Sequence, residues 1–116
     1  MAAKRDRRRG ALRPPCQARR VLLYFSRSWN EDRGDENASW GVSTWWFEAN
    51  ADGYVARQVE DYSDGPTLRY GPGYVVDKYG QLADVALDLV EFEPFTVDAD
   101  AFETAWQRAQ YGRDLT

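Results

Sequence analysis

The chain has 116 residues, 43% hydrophobic and 15% aromatic, with a net charge of −4, enough apolar material for one packed domain. It has no histidine and one cysteine, Cys16. That excludes Ser–His and Cys–His nucleophiles, an internal disulfide, and zinc or redox-thiol sites, so neither a metal nor a cofactor is expected.

The charge is unevenly placed. Residues 1–20 carry eight Lys/Arg against the single acid Asp6, a net of +7, and residues 21–116 carry seven against eighteen acids, a net of −11. Residues 1–20 lack apolar periodicity and contain Pro14-Pro15, so a disordered basic arm is predicted. Nucleic acid or an anionic membrane would be contacted only through this arm. No long apolar stretch marks a secretory signal, and no run approaches the roughly 20 residues of a membrane span. A lone cysteine fits a cytoplasmic setting.

A single acidic domain is expected over residues 21–116. Val21-Leu22-Leu23-Tyr24-Phe25 is an apolar, partly β-prone run, long enough for a buried first strand. Residues 30–38, NEDRGDENA, read as an exposed loop. A second strand is expected over residues 40–49. Period two puts Trp40, Val42, Thr44, Trp46 and Glu48 on one face, and Ser43, Trp45, Phe47 and Ala49 on the other. Aromatic residues on both faces suggest a central strand covered on each side, or one that lines a groove. Asn50-Ala51-Asp52-Gly53 forms a tight turn, with Gly53 supplying a positive φ. A third strand follows over residues 54–62, with Val55, Arg57, Val59 and Asp61 opposed to Tyr54, Ala56, Gln58 and Glu60. Ser63-Asp64-Gly65-Pro66 turns into a short strand over residues 67–70.

Residues 74–95 read as loop-rich, with 82–89 either a short helix or an irregular segment with one more strand. Asp100 and Glu103 have the spacing of a capping box. Phe102, Ala105, Trp106 and Ala109 form one apolar stripe, and Gly112 lies just past the helix end. Trp106 is expected to insert between the strand aromatics. The fold class is therefore α+β: an antiparallel meander of about four or five strands with the C-terminal helix packed on one face.

Candidate chemistry is confined to carboxylates, arginines and aromatics. Glu48 and Glu60 are expected to approach each other across the hairpin, where a buried pair would support acid–base chemistry and an outward pair would be solvated surface. Arg57, set among aromatics, would clamp a carboxylate or stack on tryptophan, most simply the protein's own. Trp45 offers a stacking surface. Trp45, Arg57, Glu48 and Glu60 are thus the candidate ligand-binding residues. Glu31, Asp32, Asp35 and Glu36 in the loop, with Asp61 and Asp64 at the second turn, are the candidate contacts for a basic protein partner. Asp61, Asp64 and Asp77 lack the dense spacing of a calcium loop.

The series Trp46-Phe47-Glu48, Arg57-Gln58-Val59-Glu60, Tyr62, Asp64-Gly65, Arg69-Tyr70, Asp77-Lys78-Tyr79-Gly80-Gln81-Leu82 and Phe102-Glu103-x-x-Trp106 resembles a group of small bacterial proteins, actinobacterial among them, close to the DUF6881-like domains. The resemblance covers residues 21–110 and implies a bacterial α+β domain without an assigned activity. The expected function is a non-enzymatic protein-interaction domain, immunity-protein-like by analogy of size and acidity. The alternative is a small-ligand-binding domain or minor enzyme with an aromatic and carboxylate pocket on the sheet.

Overall fold

Four strands form one antiparallel sheet in the order β1-β2-β3-β4: β1 is Leu22–Trp29, β2 Ser43–Asn50, β3 Val55–Tyr62 and β4 Thr67–Tyr70. The computed structural model describes residues 21–115; the expected basic arm, residues 1–20, lies outside the described residues. A two-stranded ribbon follows, β5 (Val76–Asp77) with β6 (Gly80–Gln81), then helices α1 (Leu89–Phe92) and α2 (Ala99–Arg108). The expected meander and C-terminal helix are both present. No helix among the described residues is long and apolar enough to cross a membrane.

Alternation along β2 divides the core in two. Phe47 and Ala49 face a cluster with Phe25, Val55 and Phe92. Trp46 faces the other way, against Val59 and the α2 residues Phe102, Ala105 and Ala109. The predicted stripe of α2 is the stripe that packs.

The hairpin departs from simple alternation at one point, on β3. Glu48 lies opposite Arg57, but Ala49 lies opposite Val55, leaving Ala56 as an extra residue in a β-bulge. The bulge reverses the pleat, so Val55 joins Phe47 and Ala49 rather than sharing a face with Arg57. The turn itself is as predicted: Gly53 has φ +94°, and the Asn50 side chain accepts from the Asp52 and Tyr54 amides.

Trp40 is not on β2. It ends a 3-10 turn, Ala38–Trp40, and packs on Tyr62 and Tyr79 at 5.2 and 5.4 Å. Gly41 (φ +81°) then redirects the chain, and a Cβ there would collide with the side chains of Ser63 and Asp64. The α2 cap also shifts. Asp98, not Asp100, is the N-cap and accepts from the Ala101 amide at 2.8 Å. Glu103 is thereby free to reach Arg57, at 3.0 Å.

The flanks of α2 tie it across the sheet. The Val97 amide donates to the Tyr24 carbonyl on the β1 edge. Gln110 bridges to the β4 edge through Thr67 and Arg69. These bonds give both sheet edges partners and blunt their capacity for strand addition. The opposite face is covered by residues 82–92, irregular until Asp88 caps α1 through the Val90 and Glu91 amides.

Candidate functional site

The face of the sheet away from α2 carries a polar row between two apolar clusters, the one around Phe25, Phe47 and Phe92 and another around Leu68 and Tyr70, on which Trp40 and Tyr79 pack. Gln58, Glu60 and Tyr62 alternate along β3 and all point to this face. Gln58 is fully buried. Its Nε2 donates to Glu60 Oε2 and to the Gln81 carbonyl, and its Oε1 accepts from the Ala83 amide. This one side chain pins residues 81–83 to the sheet, where no ladder is available to do so. The Tyr62 hydroxyl donates to Glu60 Oε1 at 2.8 Å and accepts from Arg33 Nη1 at 2.8 Å. Arg33 comes from the loop before β2. Its guanidinium lies against Trp40 and Tyr62, donates to the Tyr79 carbonyl and pairs with Asp35.

Glu60 is only 2% exposed. Burial pushes its carboxyl above the usual carboxylate range, against the opposing pull of the Tyr62 and Gln58 donors. Burial, together with the Glu60 charge, also raises the Tyr62 hydroxyl. A buried acid, a phenol and an arginine thus form a chain that ends at the protein surface.

Two adjoining hollows flank this chain. The larger, about 360 Å³, is an aromatic cleft walled by Trp29, Trp45, Phe47, Leu87 and Phe92, with Glu31, Asp32 and Arg33 at its polar side. The second, about 320 Å³, includes Glu60, Tyr79 and Gln81. Trp45, Tyr62 and Arg33 belong to both. The Trp45 indole N–H donates to Ser43 Oγ at 2.9 Å, which holds the ring across the cleft floor.

The four ligand-binding candidates separate. Trp45 and Glu60 are direct cross-strand partners on the cleft face. Glu48 and Arg57 are partners on the helix face. Glu48 and Glu60 therefore do not approach each other: Glu60 pairs with Trp45, three positions from Glu48, and an odd separation places the two on opposite faces. Nor is either acid solvated, since Glu48 is 7% exposed. Glu48 receives two bonds from Arg57 and one from Tyr24. Arg57 does clamp the protein's own groups, lying 5.0 Å from the Phe102 ring and 4.9 Å from that of Trp106.

The partner candidates also divide. Glu31, Asp32, Asp35 and Glu36 lie together on the exposed loop beside the cleft. Asp64 is exposed and its amide bonds the Trp40 carbonyl, near the end of that loop. Asp61 belongs to the helix face, bonded to Arg108 and Thr67.

Sequence reasoning missed Arg33, Gln58 and Tyr62. A signal for two of them existed: both lie two residues from Glu60, on its face. Arg33 was hidden as a lone cation in an acidic loop. Comparison with protein-family models, with curated proteins and with solved structures finds no significant match for the chain.

Removing the Tyr62 hydroxyl tests the chain. Tyr62→Phe takes a donor from buried Glu60 and an acceptor from Arg33, and is expected to destabilise the fold by about 1–3 kcal/mol at neutral pH. The folded-state pKa of Glu60 is already raised and would rise further. A group of that kind stabilises the fold at pH below its unfolded value and loses that contribution as pH rises through the folded value. The deficit of the variant is therefore expected to shrink on going from pH 7.5 to about pH 5 (urea unfolding at both, wild type alongside). A deficit independent of pH would show that the hydroxyl does not support ionised Glu60.

Proposed function

We propose that this chain is a binding protein for a small amphipathic molecule held in the aromatic cleft. The carrying observation is the arrangement of Trp45. Its ring floors a 360 Å³ cleft and also borders the hollow that contains Glu60. Small-molecule sites occupy roughly 300–1,000 Å³, are mainly apolar, and carry a few convergent polar groups and a carboxylate perturbed by burial. The cleft has that size and an apolar lining with a few polar groups, and the buried carboxylate, Glu60, lies in the adjoining hollow that shares Trp45, Tyr62 and Arg33 with it. The cleft lies between the sheet and residues of the 83–92 segment.

The tryptophans supply the test. Trp29 and Trp45 line the cleft, while Trp46 and Trp106 pack on the helix face. A ligand of the cleft is expected to shift the indole N–H resonances of Trp29 and Trp45 and leave those of Trp46 and Trp106 in place. Trp45→Ala should abolish the binding while retaining the fold. A screen of small amphipathic compounds that moves neither Trp29 nor Trp45 would remove the proposal.

A second reading, a non-enzymatic interaction domain with an immunity-like role, is favoured by the four acids of the loop. Charges of this kind mainly speed association with a basic partner, and the effect weakens with salt. Partner capture insensitive to salt would exclude that version. Kinship with the DUF6881-like bacterial domains belongs to this second proposal and rests on the motifs between Trp46 and Trp106.

A further inference from the structure

We infer that the guest of the cleft is a cation: a small aromatic or aliphatic amine, with its apolar part against Trp29, Trp45 and Phe92 and its ammonium group beside Glu31 and Asp32. The inference rests on the ligand-binding proposal above and adds the charge of the ligand.

It follows from which polar groups around the cleft are engaged. Arg33 is engaged at all three nitrogens and its charge is paired: Nε bonds Asp35, Nη1 bonds the Tyr62 hydroxyl, and Nη2 bonds the Tyr79 carbonyl and pairs with Asp35. Arg27, which lies against the Trp29 and Phe92 rings of the wall, bonds Glu91 at 2.6 Å. The Trp45 indole N–H is given to Ser43. An anionic guest would therefore find, among the described residues of the cleft, no cation that lacks an acidic partner of its own.

The acids are in the reverse state. Among the described residues Glu31 has no hydrogen-bond or ion-pair partner, and Asp32 accepts from the Gly34 amide alone, at 2.8 Å. Both are exposed and both line the cleft. An ammonium group entering here gains two carboxylates without displacing an internal partner.

Three probes with one ring system separate the possibilities: 2-naphthylethylamine, 2-naphthylethanol and 2-naphthylacetate, titrated into the full chain while the tryptophan indole signals are followed. The amine is expected to bind roughly threefold to tenfold more tightly than the alcohol, the scale of exposed charge pairs, and the acetate more weakly than either. The double variant Glu31→Gln, Asp32→Asn should bring the amine to the level of the alcohol. Both positions are exposed, and unshifted Trp46 and Trp106 signals would show that the fold is intact. An alcohol equal to the amine, an acetate that binds best, or an amine preference that survives the double variant would overturn the inference and leave the cleft a ligand site. If no probe moves Trp29 or Trp45, the ligand-binding proposal fails, and this inference with it.

Discussion

Arg57→Ala is expected to destabilise the protein by about 3–5 kcal/mol, because it strands Glu48 as a buried, uncompensated charge. The Glu48 carboxylate accepts Arg57 Nε and Nη2 at 2.8 Å each and the Tyr24 hydroxyl at 3.0 Å. The Arg57 hydrogen bonds hold the Glu48 carboxyl below its usual range, against the desolvation that pushes it up. A depressed carboxylate contributes stability above its unfolded pKa and loses it as pH falls through the folded value. Wild type should therefore lose this contribution on acidification. In Arg57→Ala the buried Glu48 has lost its main partner and gains by protonation, so the gap between the two proteins should narrow between pH 7 and pH 4. Urea unfolding at both values measures it. Glu103 shares Arg57 but is about half exposed, and Glu103→Ala should leave stability close to wild type. In the double variant Glu48→Gln, Arg57→Met, most of the loss should return, since no charge is left unpaired. A double variant as unstable as Arg57→Ala would assign the loss to the packing of the guanidinium between Phe102 and Trp106 instead.

Phe102→Ala should cost about 3–5 kcal/mol, as for a large aromatic removed from a closed core. Phe102 is fully buried, touching Val59 and Ala105 within its cluster and Tyr24 at a ring separation of 5.5 Å. Trp106, one turn further along α2, should cost less, about 2 kcal/mol. It does not insert between the strand aromatics. It is half-buried, stacked on Phe102 at 6.3 Å, with the guanidinium groups of Arg57 and Arg69 over its ring. Thermal and urea unfolding of the two alanine variants gives the order directly. A larger loss for Trp106→Ala would mean that the cation–aromatic stack, rather than Phe102, anchors α2.

This reversal between Phe102 and Trp106 shows where pattern and packing part. Helical spacing identified the stripe Phe102, Ala105, Trp106 and Ala109, and the stripe does face the sheet. Spacing carries no information on which member lies nearest its centre. That depends on the angle at which α2 crosses, and the crossing is set by bonds from Val97 to β1 and from Gln110 to β4. Likewise the faces of β2 were legible from alternation between Ser43 and Ala49, whereas the face of Val55 was not. One extra residue, Ala56, inverts the pleat, and a bulge has no dependable mark in the chain.

The cleft was less legible than the fold. Trp45 and Glu60 were both among the candidates, yet their direct pairing depends on the hairpin register, which the bulge sets. Arg57 and Glu48 were grouped with them and belong to the other face. Arg33 reaches Tyr62 and Tyr79 across 29 and 46 positions of sequence, a separation that no local pattern encodes.

Alone, the sequence determined the class of this protein: a meander of antiparallel strands, a turn at Gly53, a C-terminal amphipathic helix and an acidic surface. These follow from period two, period 3.6, glycine's access to positive φ and charge count, all of them local properties. Only the tertiary structure decided which acids are buried, which arginines are engaged and where a cleft stays open. Those depend on contacts between residues distant in sequence, and burial and pairing exist only once the two faces of the sheet have been covered.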